Sequence, residues 1–121
     1  MSADPSILDP SAMERLHRIG GDRLVGKMLA TFKAFAREKV TALTTARDEG
    51  RWRDAGDAAH ALKSSAGNVG AVALARVSFE VEQAGRAQEA EHTSALIDEL
   101  VRAHGEAQSA LDGLEAQGLS V

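Results

Sequence analysis

Both prolines of this 121-residue chain, Pro5 and Pro10, lie in its first ten residues, so everything that follows is free of the one residue that removes a backbone donor and breaks a helix. Over that proline-free length, apolar residues recur at spacings of three and four, the period of a helix that buries one face. These two features dictate long helices. Hydrophobic residues make up 44% of the chain and aromatics only 3%, which points to an aliphatic, alanine-rich helical core. The length is that of a single domain with a modest core.

Residues 1–8 read as a flexible N-terminal arm, with Ile7 and Leu8 able to dock on the body, and residues 9–118 as the folded domain. Asp9-Pro10 has the pattern of an N-cap followed by proline at the first helical position. A short helix then carries Met13, Leu16 and Ile19 and stops at Gly20-Gly21. Asp22 is placed to cap a long second helix to about Asp48, with Leu24, Val25, Met28, Leu29, Phe32, Phe35, Ala36, Val40 and Leu43 as its apolar set, and Glu49-Gly50 ends it. A third helix runs from about Trp52 to Gly67. Gly70 separates it from a fourth whose stripe is Ala71, Leu74, Val77, Ser78 and Val81. The fifth starts near Glu89 and repeats Ile97, Leu100, His104, Ala107, Leu111 and Leu114. Short connections make neighbouring helices antiparallel. The expected fold is all-α: an antiparallel up-down-up-down four-helix bundle with a short extra N-terminal helix.

Several function classes drop out at this stage. Fourteen basic and 18 acidic residues are well mixed, for a net charge of −4, and no basic stripe interleaves with aromatics, so nucleic acid is not an expected partner. Cysteine is absent, which excludes disulfide and thiol chemistry. No basic N-terminal region precedes an apolar run and no long apolar segment occurs, so the expectation is a cytoplasmic chain with no membrane partner. With no apolar stripe left over once the bundle closes, a monomer is expected.

The third helix holds the chemistry. Ala55, Ala59, Leu62, Ala66 and Val69 form its buried stripe, and His60 points away from it. Helical spacing surrounds His60 with Gly56, Asp57, Lys63, Ser64 and Gly67. Glycine in an exposed helix interior costs about 1 kcal/mol relative to alanine. Two glycines beside one histidine therefore read as a surface cleared for something bulky to approach, which makes Gly56 and Gly67 candidate partner-binding positions. Imidazole is a competent nitrogen nucleophile near neutral pH. Lys63 puts a cation where an anion attached to His60 would sit, and the Ser64 hydroxyl can donate to the same anion. Asp57 is a candidate to orient the second ring nitrogen, with a solvated helix-face acid as the plainer reading. His17 and His92 read as surface residues, and His104, on an apolar seam, as a satisfied core or boundary residue.

The run His60-Ala61-Leu62-Lys63-Ser64-Ser65-Ala66-Gly67-Asn68-Val69-Gly70-Ala71 resembles the motif of histidine phosphotransfer (HPt) domains, His-x-Leu-Lys-Gly-Ser/Ala-x-x-x-x-Gly-Ala, with Ser64 where the family usually has glycine. Gly20-Gly21-Asp22, Phe32, the Gly70-Ala71-x-x-Leu74 run and Val81-Glu82 stand where the family shows similar residues, so the resemblance covers most of the chain. It implies a relay carrier of bacterial two-component phosphorelays. His60 would accept the phosphoryl group, with Lys63 and Ser64 stabilising it. The partners would be response-regulator receiver domains or a hybrid histidine kinase. The chain itself would need no cofactor, because the magnesium ion belongs to the receiver. A self-sufficient kinase is excluded, since 121 helical residues leave no room for a nucleotide-binding domain. Two alternatives come from other classes. One is a helical adaptor in which His60 is inert. The other is a dimetal-carboxylate bundle, for which Glu14-x-x-His17 and Glu89-x-x-His92 offer ligand-like spacing but sit in or near the first turns of their helices.

Overall fold

The computed structural model describes residues 4–116 of the chain. Residues 1–3 of the expected arm and the expected domain end at 118 lie outside the described residues. Four helices follow one another: α1 (Pro10–Asp48), α2 (Trp52–Asn68), α3 (Val72–Arg86) and α4 (Ala90–Ala116). α1 packs on α2 and α4, and α3 packs on α2 and α4, so the four close into a bundle around one aliphatic core. The apolar stripes meet inside it: Leu29, Ala36 and Leu43 from α1, Ala55, Ala59, Leu62 and Ala66 from α2, Leu74, Val77 and Val81 from α3, and Ile97, Leu100 and Leu111 from α4 are all fully buried. Burying each leucine or isoleucine stabilises the fold by roughly 1.5–3 kcal/mol. Among the described residues no helix is long and apolar enough to cross a membrane.

The leading helix is not a separate element. It runs directly into the long one as α1, broken only at Gly21, whose φ of 68° and ψ of −164° are non-helical. Asp9 caps α1 as expected, accepting from the Ser11 backbone N–H at 3.0 Å, with Pro10 at the first position. Asp22 does not cap anything; it follows the break, and its carboxylate lies 3.0 Å from His17 Nε2. Ile19 is not part of the core either, being 72% exposed. Ile7 and Leu8 dock on the body as expected. Leu8 is buried, Ile7 packs against the core, and the Asp9 N–H donates to Gly70 O at 2.7 Å, so the last arm residues belong to the body.

All three connections use one turn. After α1, the Gly50 N–H donates to Arg47 O (3.1 Å) and the Arg51 N–H to Ala46 O (2.8 Å). After α2, the Gly70 N–H donates to Gly67 O (3.1 Å) and the Ala71 N–H to Ala66 O (2.9 Å). After α3, the Gln88 N–H donates to Gly85 O (3.0 Å) and the Glu89 N–H to Ala84 O (3.1 Å). Each pair of bonds satisfies carbonyls that the helix end leaves open and requires a left-handed residue at the turn. Residues 50, 70 and 88 supply it with φ of 69°, 77° and 57°. Glycine does this without strain; Gln88 does not.

Candidate functional site

α2 and α3 approach each other closely where two glycines face. A methyl group on Gly85 would lie 2.6 Å from Trp52 O and 2.9 Å from Gly56 N, and one on Gly56 would lie 3.1 Å from Glu82 O. Gly56 is therefore buried against α3, and the expectation that it clears an outer face for a partner is corrected. Its missing side chain admits the neighbouring helix instead. Gly67, by contrast, is exposed, with open space where a Cβ would stand.

The close approach sets α3 beside His60 and supplies a carboxylate that the sequence reading did not assign a role. His60 Nδ1 lies 2.8 Å from Glu82 Oε2, and Lys63 Nζ donates to Glu82 Oε1 at 2.8 Å. Arg86, one turn further along α3, donates from Nη1 to Glu82 Oε2 at 2.6 Å and from Nη2 to Asp57 Oδ1 at 3.3 Å. Asp57 thus pairs with Arg86 rather than orienting His60. The Glu82 side chain is only 8% exposed, whereas that of His60 is 52% exposed. Burial by itself would push the Glu82 carboxyl up; the hydrogen bonds from Lys63 and His60, with their nearby charge, outweigh it and hold the group below its usual value. An ionised carboxylate only accepts, so Nδ1 is the donor of the His60–Glu82 bond, and in the neutral form of the ring the lone pair then lies on Nε2.

Lys63 Nζ also stands 5.3 Å from the centre of the Phe79 ring, and that ring is 45% exposed on α3. Ser64 lies exposed on α2 one turn after His60. The structure therefore brings His60 and Lys63 together on one carboxylate, leaves Ser64 and Gly67 on the open surface, and removes Gly56 from it. Glu82 carries one signal legible in sequence: it falls four residues after Ser78 and one after Val81, on the buried stripe of α3, where a lone carboxylate requires partners. Nothing comparable marks Phe79 or Arg86.

The other histidines are placed differently. His17 pairs with Asp22, and His92 Nδ1 lies 3.4 Å from Glu89. The two Glu-x-x-His pairs do not converge, and among the described residues no group of three or more His, Asp or Glu side chains could hold a metal ion. His104 does occupy the boundary of the core, but its Nε2 is buried without a hydrogen-bond partner, so the expected satisfaction is not found.

A family model for the Hpt domain matches residues 27–117. No curated protein matches the chain. The crystal structure of histidine-containing phosphotransfer protein B from Pseudomonas aeruginosa PAO1 is similar at 25% sequence identity and a TM-score of 0.81, over 90% of this chain and 95% of that one. The likeness extends over the whole bundle and not only its histidine helix. The chain belongs to the Hpt domain family, and its function is histidine phosphotransfer in a phosphorelay.

Proposed function

We propose that His60 is the residue that carries the phosphoryl group, taking it from the aspartyl phosphate of one receiver domain and passing it to the aspartate of another. The observation that supports this best is the anchoring of Nδ1 on Glu82, which leaves Nε2 as the free nitrogen of a half-exposed ring. In the forward step the Nε2 lone pair attacks phosphorus, the bond from phosphorus to the aspartyl oxygen breaks, and the carboxylate leaves with that electron pair. The ring keeps its Nδ1 proton and becomes cationic, and the Glu82 carboxylate balances the new charge. The return step reverses these bonds onto the next aspartate.

Such a transfer asks little of the carrier beyond in-line placement and nearby cations. Lys63 Nζ, held on the opposite oxygen of Glu82, is the cation at hand, and Ser64 is a further donor. Gly67 contributes by leaving the receiver room to approach. The magnesium ion and the rest of the catalytic apparatus come with the receiver, so the chain acts as a carrier in the cytoplasm, as a monomer, and needs no cofactor of its own.

The test is labelling with a small phosphoramidate, mapped by mass spectrometry under alkaline conditions that spare phosphohistidine. Preferential labelling of His60 over His17, His92 and His104, followed by transfer to a receiver domain, is the expected result. Undiminished labelling and transfer by His60→Gln would refute the assignment.

A further inference from the structure

One to two turns before His60 along α2, an open hollow of about 300 Å³ is lined by Arg53 and Asp57 of α2 and Arg86 of α3. Its charges are unequally satisfied. Arg86 already donates to Glu82 and Asp57. The carboxylate one turn along α2 from Arg53, Asp57, accepts from Arg86, and Glu49, which caps the end of α1, accepts from Arg51. Arg53 is exposed and has no ion pair among the described residues.

The lining of the hollow thus holds two guanidinium groups and one carboxylate, with Asp57 engaged by Arg86 and Arg53 left without an ion-pair partner among the described residues. Resting on the assignment of His60 as the transfer residue, we infer that the Arg53–Arg86 hollow is a docking socket for an acidic side chain of the receiver domain that exchanges phosphoryl groups with His60.

Position supports this. Arg53 and His60 are seven residues apart on α2, hence on one face and about 10 Å apart along the axis at about 1.5 Å rise per residue. A transient signalling contact buries less than about 1,200 Å² in total, or about 600 Å² per side, a disc of roughly 14 Å radius. A footprint centred on His60 therefore reaches the hollow. Guanidinium groups present paired donors that match a carboxylate, and a charge at the rim of an interface acts on encounter and orientation more than on the bonds being made.

The experiment uses the full chain carrying Arg53→Glu and a receiver domain selected because it draws phosphoryl from the labelled wild-type chain. Transfer is followed by rapid quench over a range of receiver concentrations and at two ionic strengths. The expected result is a KM for the receiver raised about tenfold at low salt, a maximal transfer rate like that of wild type, and a gap that narrows as salt screens the interaction. Reversal of one receiver carboxylate to arginine should restore transfer to the Arg53→Glu chain. An unchanged KM, or a loss that appears in the maximal rate and does not respond to salt, overturns the socket. Failure of the underlying His60 assignment would look different, since the wild-type chain itself would then not be labelled at His60.

Discussion

Replacing Glu82 by alanine separates what this carboxylate does for the fold from what it does for the histidine. The substitution removes the acceptor of three hydrogen bonds, from His60, Lys63 and Arg86. Breaking a fully buried ion pair costs about 3–5 kcal/mol because a charge is stranded. Here the orphaned side chains are 52%, 30% and 49% exposed and can turn to water, so the expected destabilisation is only about 1–2 kcal/mol, seen as a lowered urea midpoint. The effect on reactivity should be larger. A hydrogen bond to a charged group contributes about 1.5–3 kcal/mol, and the ring needs it most as it turns cationic. With about 1.4 kcal/mol per factor of ten, labelling of His60 should slow by about ten- to a hundredfold. Glu82→Gln keeps an acceptor without its charge and should fall between alanine and wild type. The assay is the rate of His60 phosphorylation, from a phosphoramidate and from a phosphorylated receiver, with helicity checked by circular dichroism. A folded Glu82→Ala chain that reacts at the wild-type rate would refute the anchoring argument.

Gly85→Ala should destabilise the fold by about 1–3 kcal/mol in urea titration and slow His60 labelling, because its methyl would press α2 away from α3. Gln88→Gly should raise stability by about 0.5–1 kcal/mol, since a left-handed residue with a Cβ carries about 1–2 kcal/mol of strain and glycine returns part of that gain as chain entropy. Gly67→Gln should fold normally yet raise the KM for a receiver; an unaltered KM would make Gly67 a structural residue. Burial, with Arg37 nearby, lowers the pKa of His104 from its ordinary 6.5. The folded state then favours the neutral ring, so this contribution is complete above about pH 6.5 and is lost as pH falls toward the lowered value. His104→Leu should flatten the stability profile in that window, measured by urea midpoints.

The helices were legible because their apolar spacing is long and uninterrupted. The stripe from Ala55 to Val69 follows from periodicity, and Asp48 as the end of the long helix follows from the Glu49-Gly50 turn beyond it. What periodicity cannot convey is which helix lies beside which face. Gly56 has the same spacing relation to His60 whether a partner protein or α3 comes against it, and glycine permits close approach to either. The role of Glu82 was hidden for the same reason: its partners stand 22 and 19 residues away on another helix. The turn at Gln88 carries no sequence signal, because a turn of this geometry is ordinarily marked by glycine.

The α2–α3 pair is tied at both ends, by the turn at Gly70 and by the glycine contact at Gly56 and Gly85, and the His60–Glu82 bond spans the middle. Two of these ties join residues more than twenty positions apart, so the pair should open as one unit, with its central amides among the slowest of the chain to exchange hydrogen. The part of α1 before Gly21 is held by Leu8, Ala12 and Met13 and by the Asp9 N–H on Gly70 O, and should open at lower free energy. Functional segments are often the least protected of a protein; here His60 rides on the helix pair expected to be the most protected. A molecule whose first turns have detached would then still hold His60 against Glu82.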